Sequence, residues 1–539
     1  MKLCLALFFL LPIFAWSAKK PNIVLIMADD MGFSDLGCYG STIPTPHLDS
    51  LAENGLRYTQ FYNAARCCPS RAALLTGLYP HQTGLGWMTA ANLGTKGYSG
   101  DLNNDCRTIA ECLREADYST YISGKWHLTS AKYQSVRGPK DSWPLQRGFD
   151  RFYGMLAGGG SYWSTKMMLD NQSIKNDDDF YLTDAITNNA THFLDEHFDK
   201  PDNKPFFLYL AHYAPHLPLH ARPEDIARHR GKFKKGWDIL RKEKYQRMQE
   251  MGIIGPNAQL PEKERGQKDS RRITRSWDLL TPEQQNAMDL RMAIYSAMIE
   301  VMDRGIGQII KTLKKKDAYD NTLILFLSDN GAASLFTGQT DTDYEAYGTD
   351  TSKLGYGPDW AEYSNIPFRL YKMWAHEGGI ASPLIAHWPN GIKAKGKINR
   401  QVSHITDLMP TLLEISGASY QPKEGITYPN LVGQSMTPTF KGISYKRGPI
   451  IWEHKGNRGL RKGKWKLVAD GINGKWELYD MEADRSEVNN LAKSKPELVN
   501  KLAGGWDKIA LATHVYPLDG RPWSVKIKNP IPQKPNPAK

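Results

Sequence analysis

The stretch Pro21-Asn22-Ile23-Val24-Leu25-Ile26-Met27-Ala28-Asp29-Asp30-Met31-Gly32 decides how this chain folds. Residues 21–27 are an apolar, β-branched run with no alternation of polar positions. Such a run is a strand buried on both faces of a parallel sheet, since a one-sided strand would alternate. It ends in two carboxylates. Much later, Asn321-Thr322-Leu323-Ile324-Leu325-Phe326-Leu327 repeats the design and ends in Ser328-Asp329-Asn330-Gly331. An Asp-Asp pair after one strand is ordinarily a cap or a turn. Two matched ends say more, because open α/β sheets bind ligands beyond the carboxyl ends of their strands. Set side by side, these strands would bring Asp29, Asp30, Asp329 and Asn330 to one point. All are hard oxygen donors, suited to Ca²⁺ or Mg²⁺ and not to zinc.

Between the two strands lies Arg66-Cys67-Cys68-Pro69-Ser70-Arg71-Ala72-Ala73-Leu74-Leu75-Thr76-Gly77. Pro69 suits a first helical position, Ala72 to Leu75 are good helix formers, and Gly77 is a stop. A helix N-terminus offers free N–H groups to an anion, and Arg71 adds a fixed planar charge. Cys67 therefore sits where a tetrahedral oxyanion would be held.

Other elements follow the same logic. Thr45-Pro46-His47-Leu48-Asp49 opens a helix that Gly55 stops. Thr108 to Glu115 reads as a helix, and Tyr118 to Ser123 as a strand that leads into Gly124-Lys125-Trp126-His127-Leu128. Phe206 to Leu210 is a strand followed by Ala214-Pro215-His216-Leu217-Pro218, which places His216 on a rigid loop. Asp289 to Lys314 is a long helix with apolar positions at helical spacing. Tyr371-Lys372-Met373-Trp374-Ala375-His376-Glu377-Gly378-Gly379-Ile380 precedes a strand at Pro383 to His387. From about 440 the pattern changes to short strands at Ile450–His454, Arg458–Arg461, Lys464–Ala469 and Lys475–Tyr479, then a helix from Pro496 to Ala510. The expected class is α/β, with a large central, mostly parallel sheet flanked by helices. A smaller C-terminal α/β subdomain contains an antiparallel sheet.

Met1-Lys2 and the apolar run Leu3 to Phe14, with small residues at Ala15, Ser17 and Ala18, read as a signal peptide. That run is short for a membrane span, no second run is long enough, and no lipoprotein cysteine follows it. The expected product is exported, periplasmic or secreted, with no transmembrane anchor. We divide the 539 residues into a signal peptide (1–18), a catalytic domain (19–440) with a charged insertion (222–290), a C-terminal subdomain (441–525) and a tail (526–539). The net charge of +12 favours polyanionic partners. No nucleic-acid motif is present, so a sulfated polysaccharide fits better, while the basic runs near 227–247 and 262–275 read as solvated surface. Of six cysteines, Cys4 lies in the signal peptide, Cys106 and Cys112 are close enough to pair, and Cys38 and Cys68 have no evident partner.

The Cys67-Cys68-Pro69-Ser70-Arg71 pattern, followed by Ala-Ala-Leu-Leu-Thr-Gly, resembles the signature of type I, formylglycine-dependent sulfatases. These form an arylsulfatase-like branch of the alkaline phosphatase superfamily. The resemblance implies an alkaline-phosphatase-like fold and conversion of Cys67 to formylglycine by a maturation enzyme. It implies metal ligation by Asp29, Asp30, Asp329, Asn330 and residue 67, with Ca²⁺ the usual ion and Mg²⁺ the lesser candidate. Lys125, Lys372 and Arg71 match sulfate-binding residues. His127 matches a histidine that hydrogen-bonds the formylglycine hydrate, and His216 the acid for the leaving group. His212, His220 and His47 match nothing. Many relatives carry Arg after Gly-Gly-Ile, where this chain has Ala381. The implied function is hydrolysis of a sulfated carbohydrate or aryl sulfate. Walls around Gly158–Lys166, the insertion and Gly338–Trp360 would shape the pocket, with Trp163, Trp237 and Trp360 available to stack on sugars or to fill the core. Two alternatives share these residues: a phosphate or phosphonate ester hydrolase on the same fold, and an inactive sulfated-glycan-binding protein.

Overall fold

The computed structural model describes residues 19–263, 276–335, 344–422 and 425–530. Residues 1–18, read above as a signal peptide, lie outside them, as do much of the 262–275 basic run, part of 338–360 and the last nine residues of the tail. Among the described residues the large sheet has eleven strands. In chain order they are β1 (Asn22–Ala28), β2 (Leu56–Tyr62), β3 (Ser119–Lys125), β4 (Arg151–Met155), β5 (Met167–Leu169), β6 (Gln172–Ile174), β7 (Phe206–Ala211), β8 (Thr322–Ser328), β9 (Ala381–His387), β10 (Lys397–Asn399) and β11 (Ser403–His404). Their spatial order is β10-β2-β9-β8-β1-β7-β3-β4-β5-β6, and β11 pairs with β2. The middle, β8-β1-β7-β3-β4, is parallel throughout, while β9, β5 and β6 run antiparallel to their neighbours.

Register sets the site. β1 pairs with β8 so that Ala28 lies opposite Ser328, and with β7 so that Met27 lies opposite Ala211. Gly124 of β3 also lies opposite Ala211. The residues that follow these strands therefore emerge along one rim: Asp29 and Asp30, Asp329 and Asn330, Lys125, and the loop carrying His216. Every residue of β8 and β9 is buried, and β1 is buried after Asn22, as continuous apolar runs require.

The helices on the two faces are α1 (Pro46–Glu53), α2 (Cys67–Thr76), α3 (Ile109–Glu115), α4 (Leu182–Phe198), α5 (Pro223–Ala227), α6 (Trp237–Glu250) and α7 (Pro282–Lys315). Helix α2 begins at Cys67, not at Pro69. The first turn of a helix has no internal acceptor to miss, so proline is tolerated there without a lost bond. Helix α7 starts before Asp289 because Thr281 and Gln284 form a reciprocal capping box, at 3.3 and 3.1 Å. Thr108 and Glu111 do the same for α3.

One open reading is resolved and two need correction. Trp237 and Trp360 are core residues: with Trp277 they form an edge-to-face cluster with centroids 4.8–6.1 Å apart, and Trp360 is fully buried. Lys244, inside the run read as solvated surface, is fully buried. Cys106 and Cys112 do not form the expected disulfide: both are buried thiols, as are Cys38 and Cys68.

The C-terminal sheet is antiparallel: β12 (Ile450–His454), β13 (Asn457–Lys462), β14 (Trp465–Ala469) and β15 (Glu477–Asp480), in that order. The helix Pro496–Ala512 packs on it through Leu502, Trp506 and Ala510. Buried polar bonds join this sheet to the large one. The Trp452 indole N–H donates to Asn63 O at 2.7 Å, and Glu453 pairs with His81 at 2.7 Å. Lys466 lies 2.8 Å from Glu377 and 2.7 Å from Glu487, all three side chains inaccessible to solvent or nearly so. Just before the tail, Trp523 packs on Trp87 at 4.7 Å. Among the described residues no helix is long and apolar enough to cross a membrane.

Candidate active site

At the rim, the Asp30 N–H donates to Asp329 Oδ1 at 3.3 Å, and the Asn330 side-chain amide donates to Asp30 Oδ1 at 2.7 Å. Asp30 adopts φ +64°, a left-handed turn that lets Asp29 and Asp30 bring their carboxylates to the same place. Asp29, Asp329 and Asn330 are wholly buried. Crowding shows in their protonation. Burial and then the neighbouring Asp29 push Asp329 well above the usual carboxylate range. Burial also opposes charge on Asp29, but Lys125, His216 and Arg71 hold it below its ordinary value.

The fully buried Arg71 reaches this cluster from α2. Its Nε donates to Asp329 Oδ2 at 3.2 Å, its Nη1 to Lys125 O at 2.8 Å, and its Nη2 lies 3.4 Å from Asp29 Oδ2. Lys125 Nζ contacts Asp29 Oδ2, and Lys372 Nζ contacts Asp30 Oδ1. Lys372 is carried by a kinked loop, with Leu370 at φ +61° and Met373 at φ +87°. Its ammonium is raised above the ordinary lysine value: burial works against the charge, and Asp30 and Cys67 outweigh it.

Cys67 opens α2 and is 2 % exposed. Burial would raise its thiol, but Lys372 and Lys125, with hydrogen bonds from His127 and His216, hold it well below the ordinary value. Cys68, one residue on, is pushed up to about 12 by burial and by the charge of Cys67. The same helix turn thus holds one activated position and one inert thiol. Burial and Lys125 push His127 down to about 4, so its ring is neutral. His216 stacks on Tyr213 at 4.8 Å, and its Nε2 lies 3.4 Å from Asp30 Oδ2.

One ligand atom from each of Asp29, Asp30, Cys67 and His216 falls within 4.8 Å of all the others. Among the described residues, Asp29 Oδ1 and Asn330 Oδ1 are buried with no hydrogen-bond partner. Orphaned oxygen acceptors beside crowded carboxylates fit a hard divalent cation, which would satisfy both the lone pairs and the charge. All the site residues expected from sequence converge here. Ala381 is buried in β9 opposite Tyr62.

Other groups that bear on the site escaped the sequence reading. Lys244 of α6 reaches the loop after β1, with Nζ 3.4 Å from Asp35 Oδ1. Asp35 Oδ2 accepts the Gly32 N–H at 3.0 Å and the Tyr295 hydroxyl at 2.7 Å. Glu377 accepts from Lys466, Arg485 and Tyr62. A lysine in a highly charged helix carries no local mark of burial. The only available cue is the Glu377 side chain within the Gly-Gly motif.

A strand-end carboxylate cluster, a helix-start cysteine and two converging lysines define a hydrolase of anionic esters on an α/β sheet. The Sulfatase family profile matches residues 21–418, and a profile described as N-sulphoglucosamine sulphohydrolase, C-terminal, matches residues 368–505. The chain belongs to the sulfatase family and is a sulfuric ester hydrolase. Among its relatives is the arylsulfatase of Klebsiella aerogenes, 34% identical over 74% of this chain and 87% of that protein. Another is the N-acetylgalactosamine-6-O-sulfatase of Bacteroides thetaiotaomicron, 27% identical over 90% and 92%. The crystal structure of Ps i-CgsB in complex with k-i-k-neocarrahexaose superposes with a TM-score of 0.67 at 27% identity, covering 93% of this chain and 95% of that one.

Proposed function

We propose that this chain is an exported enzyme that hydrolyses a sulfate ester of a carbohydrate, using a formylglycine made from Cys67 by a maturation enzyme. The observation that carries the reading is the placement of Cys67 at the start of α2, within 4.8 Å of ligand atoms of Asp29, Asp30 and His216. A carbohydrate substrate is supported by the relatives named for a sulfated amino sugar and solved with a carrageenan oligosaccharide.

Asp29, Asp30, Asp329 and Asn330, with residue 67, would hold a divalent cation, Ca²⁺ before Mg²⁺. Such an ion supplies charge to offset the sulfate oxygens and acidity to the hydroxyl it touches. The formylglycine hydrate supplies two hydroxyls on one carbon, one to attack sulfur and one to release the product. Arg71 fixes Asp29 and Asp329 so that the oxygen donors keep their places. Lys125 and Lys372 swing from their carboxylate partners toward the sulfate oxygens and offset their charge. His216 delivers a proton to the leaving oxygen. His127, neutral and beside residue 67, accepts the proton of the hydroxyl that remains.

The test is sulfate release from protein co-expressed with a formylglycine-generating enzyme, on sulfated mono- and oligosaccharides and an aryl sulfate. Wild type should turn over, and Cys67→Ala should be inactive although folded. Substantial residual activity in Cys67→Ala would refute the covalent scheme. A matched phosphate ester hydrolysed faster than the sulfate would favour phosphoryl transfer instead.

A further inference from the structure

Arg66 immediately precedes Cys67 and is the N-cap residue of α2, with an extended backbone and no capping bond from its side chain. Its side chain is half-buried, and Nε is shut off from solvent with no hydrogen-bond partner. Among the described residues its guanidinium forms no hydrogen bond or ion pair. The other cations of the site, Arg71, Lys125 and Lys372, are each matched by a carboxylate.

The surroundings of Arg66 are built from three distant segments stitched together. Ala65 O accepts the Met373 N–H at 2.9 Å, and Met373 O accepts the side-chain amide of Asn457 at 2.9 Å. Asn457 faces His454 across the β12–β13 hairpin, whose turn is Lys455-Gly456. A Cβ on Gly459 would stand 3.2 Å from that of Ala375, so the hairpin lies directly on the Lys372 loop. The Arg66 charge is felt by both Lys372 and His454. His454 is 1 % exposed, and neither ring nitrogen has a hydrogen-bond partner. Burial first, and then Arg66 and Lys455, hold its imidazole well below the ordinary value, so it is neutral. A guanidinium partly removed from water without a partner is costly, and so is a buried imidazole with both nitrogens idle. The first cost is removed by an anion that accepts from the guanidinium.

We propose that Arg66, backed by the His454–Asn457 hairpin, forms a second anion subsite that binds an acidic group on the sulfated saccharide, next to the sulfate that is cleaved. The planar fork of arginine suits a carboxylate or a second sulfate, either of which offers paired oxygens. The preferred substrate is then a saccharide with two anionic groups. This rests on the sulfatase reading above and narrows its substrate class.

The test uses the full-length, matured enzyme and its Arg66→Gln and Arg66→Lys variants. kcat/KM is measured on a monosulfated neutral sugar, the same sugar carrying a second sulfate, and a sulfated disaccharide containing a uronic acid. The quantity read is the ratio of each acidic substrate to the neutral one. Arg66→Gln should lower that ratio roughly ten- to hundredfold for at least one acidic substrate, and the arm that falls names the anion. Arg66→Lys should restore part of it, which a folding defect would not. An unchanged ratio in both arms overturns the proposal, as does equal loss on all three substrates. Calorimetry of the disulfated sugar on Cys67→Ala and on Cys67→Ala/Arg66→Gln gives a readout independent of turnover. Weaker binding by the double variant supports the subsite even if sulfate release fails, and equal binding by the two proteins overturns it.

Discussion

Lys244 is fully buried, 3.4 Å from Asp35 Oδ1, 3.1 Å from Tyr363 O, and 3.7 Å above the Tyr363 ring. Burial lowers its pKa from 10.5 to about 8, with Asp35 resisting the shift. The folded state therefore releases this proton near pH 8, while the unfolded chain keeps it to about 10.5. Between those values the unfolded state binds more protons, so stability rises with pH. A shift of that size corresponds to about 3 kcal/mol. The perturbation is Lys244→Met. Other lysines, tyrosines and cysteines titrate in both proteins, so the difference between them isolates Lys244. Denaturant unfolding at pH 7, 8.5 and 10 should show wild type gaining about 3 kcal/mol relative to the variant across that range. Stability curves that run parallel from pH 7 to 10 would refute the assignment of a buried lysine here.

The loop that Lys244 holds begins at Asp29 and Asp30, so the same variant should bind the proposed divalent cation about tenfold more weakly, measured by metal titration. Trp360→Ala should cost roughly 3–5 kcal/mol and leave KM unchanged, since this ring fills the core; a selective rise in KM would restore it as a sugar platform. Gly124 has φ +123°, and a Cβ there would lie 1.9 Å from Ala211 O. Gly124→Ala should therefore separate β3 from β7, displace Lys125 and cut kcat, read by kinetics beside a thermal melt. Glu377 is held below the ordinary carboxylate value against burial by Lys466, Arg485 and Arg461. Its stabilising share is present above pH 4.5 and lost as pH falls through the lowered value. Glu377→Gln should lose roughly 3–5 kcal/mol at pH 7 and show a flatter acid limb on unfolding.

Much of the fold was legible because its signals are local. β1 and β8 are apolar runs that stop at carboxylates, and both form as read. The four C-terminal strands fall within three residues of their expected bounds, because Gly-containing turns punctuate them. The candidate site residues were legible for the same reason, since each lies in a short motif at the end of an element. The start of α2 was misplaced because proline at any position of a first helical turn loses no bond. Trp237 and Trp360 were open to two readings because an aromatic ring serves a core and a sugar platform equally well, and only its neighbours distinguish them.

The amino-acid sequence by itself singled out the candidate site residues and set Asp29, Asp30, Asp329 and Asn330 at the carboxyl ends of strands. Hydrophobic runs, caps and motifs act over a few residues and do not depend on the rest of the chain. Only the tertiary structure decided that β1 lies between β8 and β7, which sets Asp29 beside Asp329. It alone placed Lys244 under Asp35, and Arg66 against the Lys372 loop and the β12–β13 hairpin. These neighbours are far apart along the chain, and their contact is created by burial of shared apolar surface, which local periodicity does not encode.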